Sequence, residues 1–229
     1  MNNIFGITLS DLEEYFLNIG EKKYRAVQVY DSLYKKHVYD FNEFSNIKQS
    51  IIDKLNNDFT NEFINIEKVL EGIDVKKFLF RLLDGEKIEA VLMYHDYGLS
   101  VCVSSQVGCN MGCRFCESGR LKKVRNLEAY EIVEQIILIQ KYIGKKINSV
   151  VLMGIGEPFD NYDNIIKFIR IINDAHGLAI GSRHITVSTC GLVPKIYEFS
   201  NLDLQVNLAI SLHGATDEIR NSIMPVNKV

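Results

Sequence analysis

From residue 99 onward the chain repeats one grammar four times, a short apolar stretch, a loop, then a helical segment. LSVCVSSQV is followed by an amphipathic stretch over 128–142, with Ala129, Ile132, Val133, Ile136 and Ile137 on one face and Gly144 at its end. NSVVLMG leads into a GEP loop and a helix over about 161–176. HITVSTCG leads into a short helix near 194–199, and QVNLAISLHG into a helix over 216–223. Alternation of this kind predicts an α/β fold with a parallel sheet curling toward a barrel. In such folds function gathers at the C-terminal ends of the strands. The cysteine-rich loop, GEP, STCG and SLHG all fall at those ends. A closed eight-unit barrel takes roughly 250 residues. Only 130 residues follow position 99, so an incomplete barrel is expected.

Upstream the grammar differs. Residues 1–62 read as helical: Ser10 and Glu13 form a capping-box pattern ahead of Leu12, Tyr15, Phe16 and Ile19, and Gly20 closes that helix. Further helices are expected over 24–36 and 46–56, the last with Ile47, Ile51 and Leu55 along one face. Residues 63–98 hold IEKVLEG, KKFLFRLLDG and KIEAVLMY between Gly-containing turns, the pattern of a small antiparallel element. Three segments follow: a helical domain over 1–62, a β linker over 63–98 and the strand–helix core over 99–229.

A formal charge of −3 carries no global basic signal, so contact with nucleic acid must come from a local patch. Arg114, Arg120, Lys122, Lys123 and Arg125 form one beside the cysteines. No apolar run approaches the roughly 20 residues of a membrane span, and the first residues lack the basic-then-apolar pattern of a signal peptide. A cytoplasmic location is expected, where thiols stay reduced. Five cysteines, an odd number, also argue against a disulfide knot.

Cys109, Cys113 and Cys116 stand in CxxxCxxC spacing. A structural zinc site wants four ligands, usually as two separated pairs, and no second pair follows. A [4Fe–4S] cluster also normally takes four thiolates, so three would leave one iron open to a ligand. Zinc and a chance grouping stay open on spacing alone. Gly154-Ile155-Gly156-Glu157-Pro158 offers a glycine loop that lets backbone approach a ligand closely, or an ordinary strand-to-helix turn with Pro opening the helix. Ser188, and Ser211-Leu212-His213, end the third and fourth strands.

CxxxCxxC resembles the signature of the radical S-adenosylmethionine (radical SAM) superfamily. VCVSSQVGCNMGCRFC, MGIGEP, ITVSTCG and NLAISLH, with IGEKKYRAVQVYDSLYKK near the N-terminus, resemble more closely the RlmN/Cfr family of rRNA methyltransferases. The resemblance implies a radical SAM barrel of which four of six units are present, preceded by a helical RNA-binding domain. It implies Cys109, Cys113 and Cys116 on a [4Fe–4S] cluster whose open iron binds S-adenosylmethionine. Gly156, Glu157, Ser188, Ser211, Leu212 and His213 match cofactor-contacting positions. The implied reaction methylates an adenine ring carbon in 23S rRNA, with carbon 2 favoured over carbon 8, and extends to a tRNA adenine in RlmN relatives. One cofactor molecule methylates a cysteine near the C-terminus. A second is cleaved to a radical that takes hydrogen from that methyl group, and the resulting carbon radical joins protein to RNA. Glu89 matches the glutamate that accepts the adenine proton, and Cys102 the cysteine that resolves the crosslink by forming a disulfide. A flavodoxin-like electron donor and a monomeric enzyme complete the expectation.

Two departures accompany the resemblance. No cysteine here occupies the methyl-carrying position, so the expectation is a fragment or truncated product that can bind a cluster without completing methylation. CESGRLKKVRNL also differs from the CSTG or CATG runs of the family and sets Glu117 beside the cluster. A non-catalytic cluster- or zinc-stabilised RNA-binding fragment, and a radical SAM enzyme with another substrate, remain as alternatives.

Overall fold

Seven strands form one mixed sheet in this computed structural model, which describes residues 1–228. They are β1 (Asn65–Glu71), β2 (Val75–Arg81), β3 (Lys87–His95), β4 (Gly98–Val103), β5 (Ser149–Leu152), β6 (Ile185–Thr189) and β7 (Asn207–Ile210). Each strand pairs with its neighbours in sequence order, so the sheet is open, with β1 and β7 at its edges. From β1 to β4 the pairing is antiparallel, as tight turns allow. From β4 to β7 it is parallel, because each connection contains a helix. The antiparallel strands of 63–98 therefore extend the same sheet as the strand–helix units.

The crossover helices are α4 (Ala129–Ile143), α5 (Tyr162–Asn173) and α6 (Val193–Ser200), and α7 (Asp217–Ile223) follows β7. Helix α4 opens with a capping box between Glu128 and Glu131, in which the Glu128 amide donates to Glu131 Oε2 at 2.8 Å. Ile132, Ile136, Ile165 and Ile169 are fully buried, as are Val101, Val150, Leu92 and Ile185 on the sheet. Those strand residues lie in register with one another, Leu92 opposite Val101, Val101 opposite Val150 and Val150 opposite Ile185. They define the outer, helix-covered face. The alternate residues, Val91, Cys102, Val151 and Thr186, define the inner face.

The N-terminal helices are α1 (Leu9–Asn18), α2 (Tyr24–Tyr30), continued by a π-helical turn over Asp31–Lys35, and α3 (Gln49–Asp58). Their buried residues, including Phe16, Tyr30 and Leu55, belong to the same apolar core as the barrel helices. The start of α1 differs from expectation. Its cap is Thr8, whose hydroxyl accepts from the Asp11 amide at 3.2 Å, so Ser10 lies inside the first turn. A hydroxyl two residues earlier fits the extended backbone that an N-cap requires. No helix among the described residues is long and apolar enough to cross a membrane.

Candidate functional site

The four loops that follow β4 to β7 meet at one end of the sheet. The first runs from Ser104 through the cysteines. Its backbone is tied at several points: the Cys109 amide donates to Leu121 O at 3.1 Å, the Cys116 amide to Cys113 O at 3.1 Å, and the Lys123 amide to Asn110 Oδ1 at 3.1 Å. Cys109 is buried, and Cys113 and Cys116 are half-buried. Burial pushes the Cys109 and Cys113 thiols up, and a neighbouring thiol adds to the rise at each. Holding Cys109 and Cys113 as thiolates calls for a strong local positive charge, which a coordinated metal centre supplies. Among the described residues, no three His, Cys, Asp or Glu side chains converge as the ligands of one ion. Three pinned, sulfur-only donors that sense one another's charge fit an iron–sulfur cluster, whose thiolates are neighbours without meeting at a point.

The second loop, Gly154–Pro158, lies against the strand-end segment Ser104-Ser105-Gln106. The Ser105 and Gln106 amides both donate to Ile155 O, at 2.9 and 3.1 Å, and the Ile155 amide donates to Ser104 Oγ at 2.9 Å. The Glu157 amide donates to Gln106 Oε1 at 2.9 Å. Gly156 has φ +109°, and a β-carbon there would lie 2.6 Å from Gln106 Cβ and 2.7 Å from Ser105 Oγ. Only glycine meets both the backbone angle and the space.

Glu157 is 3% exposed. Its Oε1 accepts from the Phe159 amide at 3.1 Å and its Oε2 from the Cys190 amide at 2.8 Å. The carboxylate thus caps the short helix Pro158–Asn161 and ties this loop to the loop after β6. Cys190, to which the sequence assigns no role, is buried beside it, and burial together with the Glu157 carboxylate pushes its thiol well up.

Ser188 is the penultimate residue of β6, one before the end expected from the sequence, and its hydroxyl lies 3.2 Å from that of Ser211 just beyond β7. His213 has φ +55° and sets its ring 4.4 Å from that of Phe115, inside the cysteine loop. Leu212 is exposed. Cysteine loop, GEP loop, Ser188 and Ser211–His213 therefore share one rim.

Glu89 and Cys102 lie on the inner face below it. Cys102 pairs in register with Val91 and Val151, and Glu89, two residues from Val91, shares its face. Glu89 Oε2 accepts from Lys77 Nζ at 2.7 Å. The Ser104 hydroxyl donates to the Glu89 carbonyl at 2.6 Å, joining this strand to the rim loops. Burial pushes the half-buried Cys102 thiol up. All five cysteines are free thiols here.

The basic segment is only partly available as an RNA-facing edge. Arg125 forms a two-pronged pair with Glu131, at 2.7 and 2.8 Å, and a third contact with Asp84 at 2.7 Å. Lys123 pairs with Asp160 at 2.7 Å and Arg120 with Glu117 at 3.1 Å. Glu117, expected to bring a bare charge to the cluster, is thereby paired, and it is largely exposed. Arg114 and Lys122 form no ion pair among the described residues. The bracing residues Ser104, Ser105 and Gln106 carry no role in the sequence reading; a polar run directly after an apolar strand is the one signal the sequence offers for them.

Residues 103–228 match the radical SAM superfamily, and residues 2–60 match the ribosomal RNA large subunit methyltransferase N-terminal domain. The chain is 53% identical over 232 residues to a probable dual-specificity RNA methyltransferase RlmN of Streptococcus thermophilus, covering 99% of this chain and 60% of that protein. It is 52% identical over 233 residues to the protein of the same description from Listeria monocytogenes, covering 99% and 64%. The fold superposes with a TM-score of 0.90 on the crystal structure of a radical SAM methyltransferase from Sphaerobacter thermophilus, at 35% identity, over 100% of this chain and 68% of that one. The chain thus spans somewhat under two thirds of the length of the curated relatives it matches.

Proposed function

This chain belongs to the RlmN family of the radical SAM superfamily, and from that premise we propose that it is the greater part of a radical SAM RNA methyltransferase. The reading is methylation of an adenine ring carbon, with carbon 2 favoured, in 23S rRNA and also in tRNA. What carries it is the meeting of four loops on one rim, where the Ser188 and Ser211 hydroxyls lie 3.2 Å apart and His213 packs on Phe115 of the cysteine loop.

Cys109, Cys113 and Cys116 would hold a [4Fe–4S] cluster, which when bound supplies an open iron for S-adenosylmethionine and the electron for its cleavage. Gly156 brings backbone close to the cofactor. Ser188, Ser211 and His213 offer hydroxyls and an imidazole to its ribose and carboxylate, and Leu212 offers an apolar contact. Glu157, named by the resemblance as a cofactor contact, acts in this reading by shaping the loop, because its oxygens already accept from two backbone amides. Glu89 takes the proton from the adenine carbon, a poor acid that needs a positioned base, and Lys77 holds the carboxylate in place. Cys102 would attack the sulfur of the cysteine joined to the base, forming a disulfide as that sulfur's bond to the transferred carbon breaks. The carbon leaves with the electron pair and takes up a proton to become the methyl group, and that cysteine is not among the five of this chain. Residues 1–62 serve as the RNA-binding domain, and 63–98, the expected linker element, join it to the core over 99–229 by extending the core's own sheet. A cytoplasmic monomer served by a flavodoxin-like electron donor completes the reading.

Anaerobic reconstitution tests it. The expected product is a brown protein with about four irons per chain that cleaves S-adenosylmethionine under reduction. One zinc per chain without cleavage would refute the enzyme reading. Liquid chromatography with mass detection, run against authentic 2-methyladenosine and 8-methyladenosine, on nucleosides from 23S rRNA and tRNA treated with the longer protein separates carbon 2 from carbon 8.

A further inference from the structure

Helix α7 follows the last strand and carries a buried cation that the reading above leaves without a role. Arg220 is 8% exposed. Its Nη1 donates to the carbonyls of Ser211 and Leu212, at 3.0 and 2.8 Å, and its Nη2 donates to the carbonyl of Cys190. Its Nε donates to Asn227 Oδ1 at 2.6 Å, which fixes the plane of the guanidinium. The fork thus grips the backbone of the loops after β6 and β7. The Cys190 amide, on the same residue whose carbonyl Arg220 holds, donates to Glu157 of the GEP loop. At the far end of α7 the Ile223 carbonyl accepts from the Arg114 amide, inside the cysteine loop, at 2.9 Å. The fit leaves little slack: a β-carbon on Gly214 would lie 2.7 Å from the Arg220 amide, and one on Gly191 would lie 3.2 Å from Nη2. All four rim loops are therefore joined through this one side chain and its helix.

We propose that Arg220 is the positioning residue of the rim, holding Ser188, Ser211 and His213 as one preformed wall against the cysteine loop. The inference rests on the reading of these loops as an S-adenosylmethionine site. Arginine suits the task because its planar fork donates in several fixed directions, whereas a lysine ammonium is a point charge without that geometry. A loop held before the ligand arrives avoids the ordering cost of binding.

The test compares wild type, R220K and N227A after anaerobic cluster reconstitution. Iron content, melting temperature, S-adenosylmethionine affinity by equilibrium dialysis and amide hydrogen exchange are measured on each. R220K is expected to keep its iron but bind S-adenosylmethionine about ten-fold more weakly or worse, the scale of one lost charge-assisted hydrogen bond. Exchange at the Ser211 and Gly214 amides should rise in step. N227A leaves the guanidinium in place but frees its plane; because Nη1 and Nη2 keep their carbonyl partners, a smaller loss of about three-fold is expected. Wild-type affinity in both variants, with only a lower melting temperature, would make Arg220 a packing strut and overturn the proposal. Should R220K fail to fold, the N227A affinity decides by the same criterion. If the reconstituted wild type does not bind S-adenosylmethionine at all, the underlying reading fails and this inference falls with it.

Discussion

Replacing Glu157 by glutamine changes the chemistry of the rim while keeping its shape. The carboxylate accepts from the Phe159 amide at 3.1 Å and from the Cys190 amide at 2.8 Å, in a position 3% exposed to solvent. Glutamine has a single acceptor oxygen, so its NH2 group must face one of the two N–H donors. The shorter bond, to Cys190, is the one the amide oxygen should keep. The Phe159 amide then loses a charge-assisted bond and is left buried without an acceptor, at a cost of about 2–3 kcal/mol. For a chain of this size, each kcal/mol lowers the melting temperature by roughly 2–4 °C, so a fall of about 4–12 °C is expected. Calorimetry on matched wild type and E157Q measures it, and hydrogen exchange locates it at Phe159. A melting temperature within about 1 °C of wild type and unchanged exchange at Phe159 would refute the reasoning. Lost S-adenosylmethionine binding at unchanged stability would instead assign the carboxylate a direct contact with the cofactor.

Three further outcomes follow from other contacts. R125M leaves the Glu131 carboxylate, 1% exposed, without its two-pronged partner; denaturant titration should show a loss of about 3–5 kcal/mol, and adding E131Q should recover much of it. Burial pushes the Glu134 carboxyl up from 4.5 to about 8, where its oxygens accept from Asn3 Nδ2 and the Ile64 amide. The folded state therefore holds this proton more tightly than the unfolded chain. The ionisation penalty is absent below the unfolded value, grows as pH rises through 4.5 and is complete above about 8. Melting temperatures should fall from pH 5 to pH 9 in wild type and fall less steeply in E134Q, and equal slopes would refute the assignment. K77M removes the partner of Glu89, but with side chains 43% and 38% exposed the pair contributes under about 1 kcal/mol; a larger loss in chemical denaturation would show that it stabilises the fold.

The sequence by itself determined the elements and their order. Apolar runs of strand length alternating with amphipathic helices identify four β/α units, and CxxxCxxC sets three thiols on one loop. Both signals are local, spanning tens of residues at most, and in both the residues carry their own chemistry or period. What only the tertiary structure decided lies between distant segments. The 63–98 strands continue the main sheet because β3 finds β4 across a tight turn. Lys123 and Arg125 turn from expected RNA contacts into internal ion pairs because the fold sets Asp160 and Asp84 beside them. Glu157 holds the Cys190 amide 33 residues away, and Arg220 holds the Cys190 carbonyl 30 residues away. Hydrogen bonds of that range leave no periodic trace in a sequence. The atoms they join are mostly backbone amides and carbonyls, which every residue has, so only folding selects which of them meet.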